Sequence, residues 1–302
     1  MALKYEVREF SSFGKCMCIE NDKMELYVTV DVGPRIIKVN LKGKENMMFT
    51  NDALDIFHDE KELKDMFGSD RTWYTYGGHR FWVSPEKFPE TYYPDSDPVE
   101  YTVDANKFTF RAKKQIYTGW KEAYEITVDE NEAKAQIKHI LTNASDKVQK
   151  GAIWGLNVTA KGGKAYIKQA TDETGLLSNR NLILWPYDVI SDERFYMDNE
   201  YFGLFQDENA KVPYKIGTNN TNGIAVCVNN GTAFKVISDY IYGAEYPDYG
   251  CSFEMYSCEH FLEVETLSPL YTLNPGESCE HIEKWELYEE NSTDIEDLKK
   301  YF

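Results

Sequence analysis

Positive charge is scarce in this chain: 33 lysines and arginines stand against 51 aspartates and glutamates in 302 residues, a formal net charge of −18. A surface of that sign repels phosphate backbones and anionic lipid, so neither nucleic acid nor a membrane is expected as a partner. Long apolar runs are also missing. No stretch of about 18 or more apolar residues occurs, and the opening MALKYEVREF lacks the apolar core of a signal peptide, so the expected location is cytoplasmic. Six cysteines are too few for a disulfide framework in a chain of this length, and reduced thiols are expected. Histidine is rarer still, at five. There is no P-loop, no Gly-x-Gly-x-x-Gly after a strand, no His-Glu-x-x-His, no paired Cys-x-x-Cys and no Gly-x-Ser-x-Gly. Nucleotide, zinc and serine-hydrolase chemistry lose their usual support, and neither a cofactor nor a metal is expected.

Aromatic residues are plentiful at 15%, with 22 tyrosines and 16 phenylalanines, and they suit strands. Short alternating runs broken by polar turns fill the chain: KYEVREF, GKCMCIE, MELYVTV and PRIIKVNL near the start, then VEYTVDANKFTFRA and KEAYEITVDENEAKAQIKHILTN. The last two read as hairpins turning at 104–106 and 129–131. Helix is expected only at 58–67, ended by Gly68, and at 292–302, where Ser292 or Thr293 is the candidate cap. No linker, repeat or strand-helix-strand alternation appears, so the expectation is a single all-β domain over 1–302 with short peripheral helices. The irregular segment 178–222, with Trp185, Pro186, Tyr187 and Pro213, is a candidate ligand mouth.

Two stretches carry candidate chemistry. In GGHRFWVSPE, residues 77–86, a Gly-Gly turn precedes His79, Arg80 and Trp82; such a turn either projects these side chains into a cleft or leaves His79 bonded to a neighbouring loop and Trp82 in the core. In FLEVETL, a strand puts Glu263, Glu265 and Leu267 on one face. Two carboxylates so placed face either solvent or a ligand; in a dry cleft, desolvation and the like-charged neighbour raise a carboxyl pKa toward the range useful to a general base. Tyrosines and tryptophans near strand ends, among them Trp73, Tyr92, Trp154 and Trp185, suit the apolar faces of a sugar ring, although a chain this aromatic has aromatics near any turn.

GGHRFWVSPE, then TNASDKVQKGAIWGLNVTAKGG, then ISDYIYGAEYPDYGCSFEMYSCEHFLEVETLSPLYTLNPGESCEHIEKWELY resemble, in that order, the galactose mutarotase-like superfamily over residues 26–288, most specifically in the C-terminal block. The resemblance implies an antiparallel β-supersandwich and a small carbohydrate as ligand. It further implies aldose 1-epimerase-like chemistry, in which a glutamate removes the C1 hydroxyl proton and a histidine protonates the ring oxygen. On that pattern Glu265 is the base, with Glu263 as fallback, and His79 is the acid. Arg35, Arg80, Trp82, Trp154, Asn157 and Glu263 are the expected substrate-binding residues. One departure stands out: the family's second histidine, in a His-Pro-x-Phe-Asn-Leu-like run, is replaced by Ile153-Trp154-Gly155-Leu156-Asn157. A saccharide-binding protein that keeps the cleft without the chemistry is therefore the alternative, and a lyase or hydrolase of acidic oligosaccharides a more distant one.

Overall fold

A computed structural model describes residues 3–302. The alternating runs pair into two large antiparallel sheets. One has the spatial order Lys4–Glu9, Lys15–Glu20, Met24–Thr29, Ile36–Leu41, Gly78–Ser84, Gln149–Thr159, Leu262–Leu267, Phe253–Ser257, Tyr214–Thr218, Ile183–Leu184, with Tyr271–Leu273 added beside Gln149–Thr159. The other runs Phe195–Met197, Tyr201–Phe205, Lys164–Lys168, Ile224–Asn229, Thr232–Ile237, Ser278–Glu289, Lys134–Asn143, Trp120–Val128, Lys107–Arg111, Glu100–Asp104. Their facing surfaces bury the main core, with Ile153, Val264, Phe253 and Ile216 from the first sheet against Phe108, Ile126, Ile137, Phe234 and Trp285 from the second. Each such side chain removed from water stabilises the sandwich by about 1.5–3 kcal/mol before entropy is counted.

Both expected hairpins form. In the second, the Asp129 carboxylate accepts the backbone N–H groups of Asn131 and Glu132 at 2.7 and 2.8 Å, which turns the chain between Trp120–Val128 and Lys134–Asn143. Segment 178–222 is less irregular than expected, since it holds four of the short strands.

The helices are shorter than the sequence suggests. Lys61–Phe67 is helical and ends at Gly68, whose φ of 110° only glycine adopts readily, but His58 lies outside it. Phe57–His58 instead pairs with Trp73–Tyr74 in a small ladder, because the backbone at Glu60 is extended. At the C-terminus the cap is Asp294, which accepts the Glu296 N–H at 3.0 Å, rather than Ser292 or Thr293. The Lys61–Phe67 helix lays Leu63 and Phe67 on the outer face of the first sheet, against Trp73, Trp82, Trp154, Leu156 and Leu267. That face is therefore partly covered, and it carries the site described below. Among the described residues, no helix is long and apolar enough to cross a membrane.

Candidate functional site

Strand alternation decides which side chains meet. GGHRFWVSPE is not a turn but the start of a strand, Gly78–Ser84, hydrogen-bonded to Gln149–Thr159. Gly77 and Gly78 have φ of 90° and 68°, and a Cβ on them would lie 2.1 Å from the Phe49 carbonyl oxygen and 2.4 Å from that of Ile36. The two glycines thus let neighbouring backbones close on the strand's first residues. From there the two-residue period sends Arg80 and Trp82 to the outer face and His79 and Phe81 to the inter-sheet core. Trp154 and Leu156 share the outer face in the next strand, as do Glu263 and Glu265 in Leu262–Leu267, Glu254 and Tyr256 in Phe253–Ser257, and Lys215 in Tyr214–Thr218.

These side chains form the floor of a cavity of about 300 Å³, lined by Trp73, Arg80, Trp82, Trp154, Lys215 and Glu263 and rimmed by His58, Glu86, Tyr92, Trp185, Tyr187 and Tyr256. The floor is charged yet almost fully buried. Arg80 Nη1 lies 2.9 Å from Glu263 Oε1, and Lys215 Nζ lies 2.7 Å from Glu254 and 3.0 Å from Glu265. The cations also rest on indole rings, Arg80 4.3 Å from the centre of Trp82 and Lys215 4.4 Å from that of Trp154. Trp154 Nε1 donates to Glu265 at 2.7 Å.

Burial pushes the Glu263 carboxyl up to about 7; Arg80 opposes this and the Glu265 charge adds to it. Glu254 is likewise raised by burial, against the pull of Lys215. Burial works against the Lys215 ammonium, but Glu254 and Glu265 outweigh it and hold the lysine pKa above its ordinary value. Among the described residues, Nε of Arg80 and Oε1 of Glu265 have no hydrogen-bond partner, while Nη1 of Arg80 and Oε1 of Glu263 meet only each other, as an ion pair. Buried donors and acceptors left this way are costly unless something polar meets them.

The expected site residues divide. Arg80, Trp82, Trp154 and Glu263 line the cavity, while Glu265 shares their face but lies under Lys215 and Trp154 and is fully buried. His79 and Asn157 do not join them. Both are fully buried on the opposite face, bonded to each other at 3.0 Å inside the sandwich, so His79 has no path to a ligand over Glu263. The acid role expected of His79 came from the family resemblance; a strand beginning at Gly78 points its side chain inward. Arg35 also stands apart, fully buried, paired with Asp95 at 2.8 Å and set behind the Trp73 and Tyr76 rings.

Lys215, Glu254 and His58 were not anticipated. Lys215 and Glu254 sit in the alternating runs YKIGT and FEMYS, but nothing local tells that their strands adjoin Leu262–Leu267. His58 reaches the cavity rim through its ladder with Trp73; its Nδ1 meets Glu60 at 2.8 Å and its ring packs on Trp73 and Tyr92.

No family model matches the sequence, and no curated protein is similar to it. Solved structures are similar in fold. The chain has the galactose mutarotase-like fold. A galactose mutarotase-like protein from Lactobacillus casei superposes with a TM-score of 0.55 over 90% of this chain and 100% of that one, at 12% identity. Galactose 1-epimerase from Lactobacillus acidophilus gives 0.50 over 96% and 99%, also at 12% identity. A TPR-domain containing protein from Parabacteroides distasonis gives 0.59 over 93% of this chain at 12% identity, and the present chain spans only 48% of it. In this galactose mutarotase-like sandwich the charged cavity lies on the outer face of the larger sheet.

Proposed function

We propose that the protein binds a saccharide in this cavity and interconverts its anomers. The observation that carries the reading is the buried Arg80–Glu263 ion pair, with Arg80 Nε left without a partner among the described residues, beneath an aromatic rim. Sugar hydroxyls both donate and accept, so one hydroxyl can satisfy the guanidinium and the carboxyl together, while indole and phenol rings take the C–H faces. The names borne by similar folds, galactose mutarotase-like and galactose 1-epimerase, agree with a sugar ligand.

Glu263 is the cavity carboxyl and, once ionised, takes the proton from the C1 hydroxyl. As the C1 carbonyl forms, the bond between C1 and the ring oxygen breaks and its electron pair goes to that oxygen. His58, oriented by Glu60, protonates the ring oxygen, and after rotation about C1–C2 the steps reverse to give the other anomer. Arg80 and Lys215 hold hydroxyls, and Glu265, with Glu254, fixes Lys215.

The test is saturation transfer between anomer signals over a panel of aldoses and sugar phosphates. Accelerated exchange of one of them, reduced about 100-fold or more in Glu263→Gln and in His58→Gln with binding retained, is the expected result. Full exchange in Glu263→Gln would remove its role as base. Binding without exchange in the wild type would instead favour the saccharide-binding reading, for which the absence of His79 from the cavity is the specific motive.

A further inference from the structure

Behind the cavity sheet, in the middle of the sandwich, lies a polar cluster that the proposed reaction does not use. His79, His139, His281 and Glu283 are buried there with Asn157, Thr266, Tyr124 and Trp285 around them. Its hydrogen bonds can be assigned one by one.

Asn157 Nδ2 donates to the Val264 carbonyl at 3.1 Å and to Glu283 at 3.3 Å, which fixes the amide so that Oδ1 faces His79 Nδ1 at 3.0 Å. Turning the amide over would set its oxygen against two acceptors. His79 therefore carries its proton on Nδ1. His139 Nδ1 lies 3.0 Å from the His281 backbone carbonyl, which only accepts, so His139 also carries a proton on Nδ1. Both rings then present bare Nε2 lone pairs, and these two atoms face each other at 2.7 Å. Two neutral imidazoles in that arrangement repel.

Glu283 points to the remedy. It accepts from Trp285 Nε1 at 2.7 Å, from Asn157 and from the Thr266 hydroxyl, which itself accepts from His281 Nε2 at 2.7 Å. Three donors, with no acceptor beside it, hold Glu283 as a carboxylate with no other charge in the cluster to balance it. Its Oε2 is 3.9 Å from His79 Nδ1.

We infer that His79 and His139 share one proton on the line between their Nε2 atoms, forming a buried imidazolium pair that balances Glu283. Burial lowers both histidines, His79 to about 3 and His139 to about 4, the latter even with the Glu283 charge raising it. The opposed lone pairs and the nearby carboxylate act the other way and hold one proton on the pair at neutral pH. The groups facing the pair are His281 and Glu283 from Ser278–Glu289 and Tyr124 from Trp120–Val128; Arg80 and Arg35 repel the charge from further off. A metal ion fits less well. Two imidazole nitrogens on one tetrahedral zinc stand about 3.3 Å apart, and the Glu283 oxygens already take three donors. A proton needs no third ligand, and 2.7 Å is the spacing of a strong, charge-assisted hydrogen bond.

The folded state thus holds a proton that the unfolded chain releases above the ordinary histidine pKa. The shared proton is lost as pH rises, and the stability that the bridge contributes is lost with it.

The deciding measurement is nitrogen-15 NMR of the full chain labelled at histidine, at neutral pH. Expected are a bound proton on each Nδ1 and one strongly deshielded proton coupled to both Nε2 atoms. A bare Nδ1 on either ring, or a metal in stoichiometric amount by elemental analysis, would overturn the inference. His139→Gln directs an amide donor at His79 Nε2 and removes the need for the shared proton. The bridging signal, and the fall in denaturation midpoint as pH rises, should both vanish; a fall that persists unchanged would count against the pair as its source. If that variant does not fold, the wild-type spectrum decides alone.

Discussion

Glu263 and Lys215 make the residue-scale case that this floor is built around charge. Because burial holds Glu263 at about 7, its base form grows as pH rises through that value, so kcat/KM for anomer exchange should climb toward neutral pH and fall again where the acid that protonates the ring oxygen loses its proton. A pH–rate profile checks this, and a flat profile from pH 5 to about 9 would deny Glu263 the role. Among the described residues, Lys215 is the cation that bridges Glu254 and Glu265. Lys215→Met would leave two buried carboxylates without a counter-charge and should cost about 3–5 kcal/mol in urea unfolding at neutral pH. The deficit should shrink as the solution is acidified, because protonation removes the repulsion.

At the scale of elements, the site depends on strand phase more than on any motif. The phase of Leu262–Leu267 is legible in FLEVETL itself, where the two acidic residues stand two apart, so the shared face of Glu263 and Glu265 could be read directly. His79 could not be placed that way. HRFW holds no alternation of polar and apolar residues, so nothing local separated a turn from a strand, and a one-residue change of phase moves the histidine from cavity to core. The same glycines that suggested a turn are what the strand needs. Gly78→Ala, at a φ of 68° and with its Cβ 2.4 Å from the Ile36 carbonyl oxygen, should lose on the order of 2–3 kcal/mol and lower the thermal midpoint. A melt unchanged from wild type would show that the backbone there yields freely.

Over the whole molecule, abundant aromatics, polar turns such as 129–131 and the scarcity of helical pattern lead to an all-β domain, and the family resemblance adds the two stacked sheets. What stayed hidden was order across the sheet. Lys215, Glu254 and Glu263 come from three neighbouring strands separated by up to about 50 residues of chain, a distance over which local sequence says nothing about pairing. The net charge of −18 has its own consequence. If the ligand is a neutral sugar, affinity should not change with added salt, since only charged partners feel the screened field.

Four of the six tryptophans, Trp73, Trp82, Trp154 and Trp185, line the cavity, so their fluorescence reports its occupancy. The most direct test of a saccharide over Glu263 is a fluorescence titration with a panel of neutral and phosphorylated sugars. At least one should give a saturable change that Arg80→Ala weakens about tenfold or more, as expected for a lost charged hydrogen bond. Saturable binding that Arg80→Ala leaves untouched, or no response from any sugar, would contradict the account.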